Sequence, residues 1–214
     1  DIFREQKKID YQLDIEAAAA LSQSEIGLIP ISIAEDISKI AKSGKITAKR
    51  IKQLEAKSDH DTAALVEALA EKCNKESRPW IHYGLTSNDL VDTSNSMQMR
   101  DAIKIIQPKV SKLSLILAKN AVKHKSVPAV GRTHGQHASI ISFGLKFANW
   151  AAEMSTHLER LDEIKKRVLI CKTLGVVGTG SLMGKNAIKV QERVARKLSL
   201  YPAKVTTQII PRER

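Results

Sequence analysis

The chain has 214 residues, of which 43% are apolar and 4% aromatic, so it can bury a sizeable core in one or two domains. Low glycine and proline counts argue against an all-β fold, no apolar run approaches the ~20 residues of a membrane span, and residues 1–4 do not open a signal peptide. The net charge of +12 is unevenly distributed, with −3 over residues 1–93 and +15 over residues 94–214. The basic second part can attract nucleic acid or small anions. The alternative is that its lysines only form solvated helix faces.

Apolar residues spaced by three and four positions predict helices in the first part of the chain. Residues 5–27 form one predicted helix, which ends before Pro30. Thr47 is expected to cap the third helix. The shorter helices of this part are predicted at residues 33–43, 47–57 and 61–75.

Longer helices are predicted in the second part of the chain. One of them begins at Ser87, and Pro108 is expected to kink or restart it. A loop that contains Pro128 and Gly131 follows. The remaining predicted elements are a long helix with an apolar stripe from residue 143 to residue 168, a glycine-rich loop at residues 175–184 and a helix at residues 186–200.

These elements predict an all-α fold with two domains. Residues 1–93 are expected to form an N-terminal helical domain, and residues 94–214 to form the first long helices of a central helical bundle. Such a bundle needs roughly four facing helices, so the bundle is expected to be truncated at its C-terminal end. The chain also begins at Asp1 without an initiator Met, which leaves room for residues upstream.

The glycine-rich loop does not fit the common nucleotide-binding motifs. A P-loop requires glycine at the position of Thr179 and a hydroxyl residue at the position of Asn186. The dinucleotide-binding spacing fails as well, because three residues rather than two precede Gly184. The loop is therefore interpreted as a tight turn between helices.

Residues 131–138, with the sequence GRTHGQHA, contain two histidines at a spacing that suits metal ligands on a helix. Gly131 and Gly135 favour a loop, however, and no acidic residue or cysteine lies nearby to complete a zinc site, so no metal is expected. His134 lies between glycines, where backbone can approach a ligand closely, and its ordinary pKa suits general acid catalysis. From the residues alone, an exposed His134 without a catalytic role is favoured over a general acid.

A second candidate site covers residues 82–89, with the sequence HYGLTSND. Thr86 or Ser87 can cap the helix that follows, and free backbone N–H groups at a helix start bind carboxylates or phosphates. An ordinary N-cap without a ligand is the alternative. His60 also begins a helix, and taken alone it is interpreted as structural.

These segments resemble the motifs of the adenylosuccinate lyases, a family of the fumarase/aspartase superfamily. Residues 82–93 (HYGLTSNDLVDT) and residues 131–138 occur in the family's order and at about its separation. Fumarases and aspartases carry Leu at the position of Gly135, and carboxymuconate cycloisomerases usually replace His134 with Trp. The resemblance covers essentially the whole chain, with further matches at residues 59–61, 175–179 and 207–212.

The resemblance implies a reaction as well as a helical fold. Adenylosuccinate lyases cleave adenylosuccinate, and also the succinyl-aminoimidazole-carboxamide ribotide of purine synthesis, by β-elimination that releases fumarate. The reaction requires no metal or organic cofactor. By resemblance, His134 is the general acid that protonates the leaving nitrogen.

The same resemblance implies a set of substrate contacts. Thr86 and Ser87 match residues that hold the succinyl carboxylates, and His82 matches a histidine on the phosphate side. The other implied contacts are Asp59, His60, Asp61, Thr133 and Gln208.

Several features depart from the family pattern. Asp59 stands where the family has Arg or Lys, and residues 139–141 (SII) replace a run similar to Pro-Thr-Thr. The Arg-Tyr phosphate contact near the N-terminus is absent. The serine loop with the catalytic base is expected beyond Arg214, so residues 1–214 alone are expected to lack lyase activity.

The expected partners are the small-molecule substrate and, by resemblance, further copies of the chain in a homotetramer with shared active sites, with no nucleic acid and no membrane. Cys73 and Cys171 form neither a CxxC motif nor a ligand cluster, which indicates a reduced, cytoplasmic protein.

Two alternative functions remain open. The first is another lyase or a cycloisomerase of the same superfamily. The second is a basic helical module that binds nucleic acid, but such modules cluster arginine with stacking aromatics. The chain has only 8 aromatic residues, and Phe143, Phe147 and Trp150 lie on an apolar stripe.

Overall fold

The computed structural model describes residues 1–213, which fold mainly into α-helices and confirm the predicted all-α class. Two short 3₁₀ helices cover Lys75–Trp80 and Ser181–Asn186. The α-helices are α1 (Glu5–Ser24), α2 (Ile31–Ala41), α3 (Ala48–Ser58), α4 (Asp61–Ala70), α5 (Ser87–Lys123), α6 (Phe143–Val168) and α7 (Ala187–Lys197). The strands are β1 (Pro128–Thr133), β2 (Gln136–Ser142), β3 (Ile170–Cys171) and β4 (Tyr201–Pro202).

The chain divides into two compact units. The first unit combines residues 1–100 with residues 166–213, and the second unit is Asp101–Lys165. The first unit therefore contains α1 to α4, the start of α5, the glycine-rich loop and α7. The predicted division into domains at residues 1–93 and 94–214 stays a prediction.

The core of the first unit forms around α1. Four consecutive alanines, Ala17 to Ala20, are buried there, and small side chains allow α2 and α7 to pack closely against the helix. The same helix also buries Glu16 and Gln23. Buried polar groups require hydrogen-bond partners, and Gln23 Nε2 donates to the carbonyl of Tyr83 at 2.7 Å. The polar side chains of α1 thus hold the segment that precedes α5.

Local capping signals fix two of the short helices. The Thr47 hydroxyl accepts a hydrogen bond from the Arg50 N–H at 3.3 Å, which confirms the predicted cap of α3. Asp59 ends that helix in the left-handed region with φ of 54°. His60 then caps α4, because its Nδ1 accepts from the Ala63 N–H at 3.2 Å. Residues 59–61 therefore form a tight junction between two helices.

The predicted loop around Gly131 is a β-hairpin in the second unit, and the loop prediction was wrong there. β1 and β2 pair antiparallel from Pro128 opposite Ser142 to Thr133 opposite Gln136. The two residues between the strands both have positive φ, 52° and 75°, as a type I′ hairpin turn requires. Turn geometry therefore favours strand pairing.

The expected restart at Pro108 does not occur, because α5 runs without a break from Ser87 to Lys123. Proline removes one backbone donor and crowds the preceding turn, but a helix of 37 residues retains its other hydrogen bonds. Among the described residues, no helix combines the length and the apolar character that crossing a bilayer requires.

The second unit leaves many apolar side chains of its helices on its surface. Phe147 contacts Phe143 and Trp150 edge-on, with ring centroids 5.3 and 5.7 Å apart. Trp150 is nevertheless 47% exposed. The other large apolar side chains that α5 and α6 expose in this unit include Ile105, Ile106, Leu113, Leu115, Ile116, Val122 and Leu145.

Candidate functional site

A cavity of about 400 Å³ in the first unit brings together four of the residues predicted to contact substrate. They are His60, His82, Thr86 and Ser87. The start of α4 and the segment that leads into α5 supply these side chains. The apolar part of the lining comes from Ala63, Val66 and Leu85. The cavity thus combines imidazole and hydroxyl groups, which suit the binding of an anionic molecule.

His82 is held by Glu16, a residue of α1 that the sequence analysis did not select. The His82 backbone N–H donates to Glu16 Oε2 at 3.0 Å, and its ring Nδ1 lies 2.6 Å from Glu16 Oε1. The Glu16 side chain is 2% exposed and the His82 side chain 21% exposed. His82 has φ of 62°, in the left-handed region that non-glycine residues seldom adopt. Two bonds to a single buried carboxylate hold this conformation.

The charge around His82 favours its protonated form. Burial alone would lower the pKa of His82, but the hydrogen bond to Glu16 and the charges of Glu16 and Asp89 outweigh burial and raise the pKa above its ordinary value. The cavity therefore has a histidine that retains its proton at a higher pH than an exposed histidine would.

The first turn of α5 is capped from within by Asp89. The Thr86 backbone N–H donates to Asp89 Oδ2 at 3.0 Å, as in a capping box. This bond occupies the backbone donor of Thr86, so its side-chain hydroxyl is not required for that cap. Thr86 and Ser87 both line the cavity, where their hydroxyls can donate to a carboxylate.

Asp89 also connects the cavity to the glycine-rich loop. It forms a fully buried salt bridge with Lys172, and it accepts from the Gly175 N–H at 2.9 Å. Lys172 Nζ in turn donates to the Gly175 carbonyl at 3.2 Å. Burial raises the pKa of Asp89, whereas Lys172 and the two backbone donors lower it, and the pKa remains above its ordinary value. The buried network ties residues 86–89 to residues 172–175.

Asp59 and Asp61 flank His60 without lining the cavity. Asp61 Oδ1 accepts from the Thr62 N–H at 2.6 Å and from the Thr62 hydroxyl at 3.1 Å. The Asp61 carboxylate is thereby used within the first turn of α4. The geometry brings His60 into the cavity and directs the bonds of Asp61 to its own helix.

Gln208 lies in an exposed segment of the first unit that Asp92 anchors. Asp92 is fully buried and accepts from the Ile210 N–H at 2.8 Å and from Arg212 Nη1 at 2.7 Å. Residues 207–212, which resemble the family, thus belong to a segment that Asp92 holds through two hydrogen bonds. Gln208 is not among the residues that line the cavity.

Thr133 and His134 belong to the second unit. Thr133 ends β1 and pairs with Gln136, and His134 occupies the first position of the two-residue turn. Both side chains are exposed. Beside the turn, Arg132 Nη2 and His137 Nε2 are 3.1 Å apart. The hairpin therefore presents His134 at its tip on a backbone that antiparallel pairing holds.

Sequence patterns did not reveal the supporting roles of Glu16, Asp89 and Lys172, although Asp89 lies within the candidate segment at residues 82–89. Each of them is charged and buried, and their partners lie 66 to 86 residues away in sequence. Charged residues in apolar surroundings, such as the Lys within residues 169–174, were the available signal. Among the described residues, no group of three His, Cys, Asp or Glu side chains is arranged to bind a metal ion.

The sequence is similar to a family of lyases. A family model described as "Lyase" matches residues 1–212. Adenylosuccinate lyase from Methanocaldococcus jannaschii is 44% identical over 213 residues, which are 100% of this chain and 46% of that protein. The chain thus spans about half the length of the curated relatives it matches.

Solved structures of related enzymes share the fold. The crystal structure of fumarate lyase from Mesorhizobium sp. BNC1 matches with a TM-score of 0.90 and 31% identity, covering 96% of this chain and 48% of that one. The 3-carboxy-cis,cis-muconate lactonizing enzyme from Pseudomonas putida matches with a TM-score of 0.89 and 30% identity, over the same shares.

Proposed function

This chain belongs to the lyase family, and on that premise we propose that its full-length protein cleaves adenylosuccinate to fumarate and AMP. Sequence identity favours this substrate, because the proteins similar to the chain at 35–44% identity include several adenylosuccinate lyases. By the same resemblance, the succinyl-aminoimidazole-carboxamide ribotide is a second substrate, and the reaction belongs to purine nucleotide biosynthesis.

The observation that carries the proposal is the cavity with His60, His82, Thr86 and Ser87. His60 precedes the other three residues by 22 to 27 positions in sequence, and all four line one space of about 400 Å³. A substrate that carries two carboxylates and a phosphate requires several cationic or hydroxyl donors, and these residue types supply them.

Each residue has a role in the proposed reaction. The hydroxyls of Thr86 and Ser87 bind the succinyl carboxylates, where negative charge develops as the proton leaves the neighbouring carbon. His82 binds on the phosphate side and His60 orients the substrate. Asp59, Asp61, Thr133 and Gln208 are proposed as further contacts by resemblance alone.

His134 is the proposed general acid. A base removes a proton from the carbon next to one carboxylate, the electron pair forms the double bond of fumarate, and the C–N bond breaks. His134 gives its proton to the leaving nitrogen, which becomes the amino group of AMP. The base is proposed to come from the family's serine loop, outside residues 1–214.

The proposed assembly is a homotetramer with shared active sites. The many large apolar side chains that the second unit exposes support it, because burying them requires a partner surface. The cytoplasm is the proposed compartment. The free thiols of Cys73 and Cys171, both buried, agree with a reducing environment.

A two-substrate assay tests the proposed activity. Purified full-length protein is incubated separately with adenylosuccinate and with 3-carboxy-cis,cis-muconate, and the products are identified chromatographically. We expect fumarate and AMP from adenylosuccinate and no change in the muconate. Conversion of the muconate alone would establish the cycloisomerase alternative, which the similarity to the lactonizing enzyme favours.

A further inference from the structure

We infer that Glu16 is a positioning residue that fixes the His82 ring and leaves its Nε2–H as the group that binds the anionic part of the substrate. The inference deepens the proposed function and rests on it. It adds a residue from α1, far in sequence from the motifs on which the resemblance depends.

The geometry restricts His82 at two points. Glu16 accepts both from the backbone N–H and at the ring Nδ1 of His82, at 3.0 and 2.6 Å. The first bond holds the backbone in its left-handed conformation, and the second fixes the rotation of the ring. Because Glu16 is 2% exposed, water does not compete for its oxygens. The carboxylate can therefore act as a rigid support.

The chemistry of a carboxylate decides which ring nitrogen carries hydrogen. An ionised carboxylate only accepts hydrogen bonds, so Nδ1 must be the protonated nitrogen beside Glu16. Nε2 is then an acceptor in the neutral ring and a donor in the protonated ring. An anion requires a donor, so His82 binds a phosphate or carboxylate in its protonated form.

The charges that face His82 maintain that form. Glu16 approaches from α1, and Asp89 from the first turn of α5 contributes a second negative charge that Lys172 partly balances. His60 lines the same cavity from the start of α4. Together with the hydrogen bond, the two carboxylates raise the pKa of His82 although burial opposes them.

The test compares pH profiles of kcat/KM for wild type and Glu16→Gln in the full-length protein. Gln is the same size but uncharged, so the ring loses the carboxylate that favours its protonated form. If the Gln amide donates to Nδ1, the neutral ring keeps a hydrogen on Nε2 but lacks the positive charge that strengthens a hydrogen bond to an anion. We expect the alkaline fall in kcat/KM to move to lower pH, with about a tenfold loss for each pH unit of displacement. If Glu16 only stabilised the fold, Glu16→Gln would instead lower kcat/KM by the same factor at every pH.

Three variants serve as controls. Glu16→Asp keeps the negative charge, so its alkaline fall in kcat/KM is expected to lie at least partly back at the wild-type pH. Asp14→Asn changes a carboxylate on the same helix outside the cavity and should leave the alkaline fall in place. In a His82→Gln background, Glu16→Gln should cause no further displacement of the alkaline fall, because the titrating ring is gone.

A binding measurement separates this inference from the proposed function. Isothermal titration of inorganic phosphate to wild type and Glu16→Gln across the same pH range requires no turnover. Phosphate affinity is expected to fall as the pH rises. If this fall begins at a lower pH in the variant than in wild type, the inference is supported even if adenylosuccinate is not the substrate. Identical pH dependence in the two proteins would overturn it, whatever reaction the enzyme catalyses.

Discussion

Lys172 and Asp89 form a salt bridge in which neither side chain is exposed to solvent. Asp89 has two further contacts, because it accepts from the backbone N–H groups of Thr86 and Gly175. Lys172 also donates to the Gly175 carbonyl. The pair therefore satisfies both charges and three backbone groups. Loss of one partner leaves the other charge buried and uncompensated.

Replacing Lys172 with Met is expected to lower the free energy of unfolding by about 3–5 kcal/mol. Chemical denaturation of the full-length protein measures the loss. A matched change at the exposed pair of Lys52 with Glu5, Lys52→Met, should leave the midpoint nearly unchanged. Equal midpoints for Lys172→Met and wild type would show that the buried ion pair does not stabilise the fold.

The stability that Glu16 gives through His82 should depend on pH. Because the pKa of His82 is raised in the folded protein, its contribution is fully present below the ordinary value of 6.5 and is lost as the pH rises through the folded value. The difference in unfolding free energy between wild type and Glu16→Gln should therefore be constant at mildly acidic pH and shrink towards alkaline pH. Urea unfolding at several pH values measures it. A difference that does not vary with pH would contradict the raised pKa.

His134→Asn should reduce kcat of the full-length enzyme by about 10²–10⁴-fold, because one proton-transfer partner is lost. Asparagine tolerates the left-handed conformation at this position, so the hairpin turn should persist. Steady-state kinetics together with circular dichroism check both statements. His157→Gln, which changes an exposed histidine of α6, serves as the matched control. Near-normal kcat in His134→Asn would remove His134 from the acid role.

Thr86→Ala combined with Ser87→Ala should raise KM for the proposed substrate, adenylosuccinate, and lower kcat. The hydroxyls are proposed to contact the carboxylates in both the ground state and the transition state. Folding should be largely preserved, because the Asp89 cap uses the Thr86 backbone and not its hydroxyl. Kinetic parameters equal to wild type would leave this stretch with a capping role only.

Gly178→Ala should destabilise the protein more than Gly44→Ala. Both glycines have φ in the left-handed region, 79° and 70°, where a Cβ costs roughly 1–2 kcal/mol. An added Cβ at Gly178 would also lie 2.4 Å from the Thr206 carbonyl oxygen, whereas nothing lies within 4 Å at Gly44. Thermal unfolding of the two variants compares them. Equal losses would mean that the loop shifts without cost.

The sequence predicted most helices because their signals are local. The Thr47 cap, Pro30 beyond α1 and the apolar spacing each act within a few residues. The β-hairpin was missed because no residue of its two strands is buried, so the sequence lacks the alternation of apolar and polar residues that marks a half-buried strand. The His134-Gly135 dipeptide was the remaining signal, but the dipeptides typical of type I′ turns have Asn, Asp or Gly at the first position.

The sequence predicted only those residues of the candidate site that lie in recognisable motifs. His60, His82, Thr86 and Ser87 follow from the resemblance, and the structure brings them to one cavity. Glu16 could not be identified from local pattern, because its only signal is a charge within an alanine-rich helix. Its partner is 66 residues away, and such pairs become visible only when the fold juxtaposes them.

The distance along the chain between Asp89 and Lys172 also has a consequence during protein synthesis. Lys172 is added 83 residues after Asp89, which at about 5–20 residues per second takes roughly 4–17 s. The carboxylate of Asp89 must remain hydrated during that interval, since its ammonium partner does not yet exist. The first turn of α5 can form early, but it reaches its final buried state only after residues 172–175 leave the ribosome.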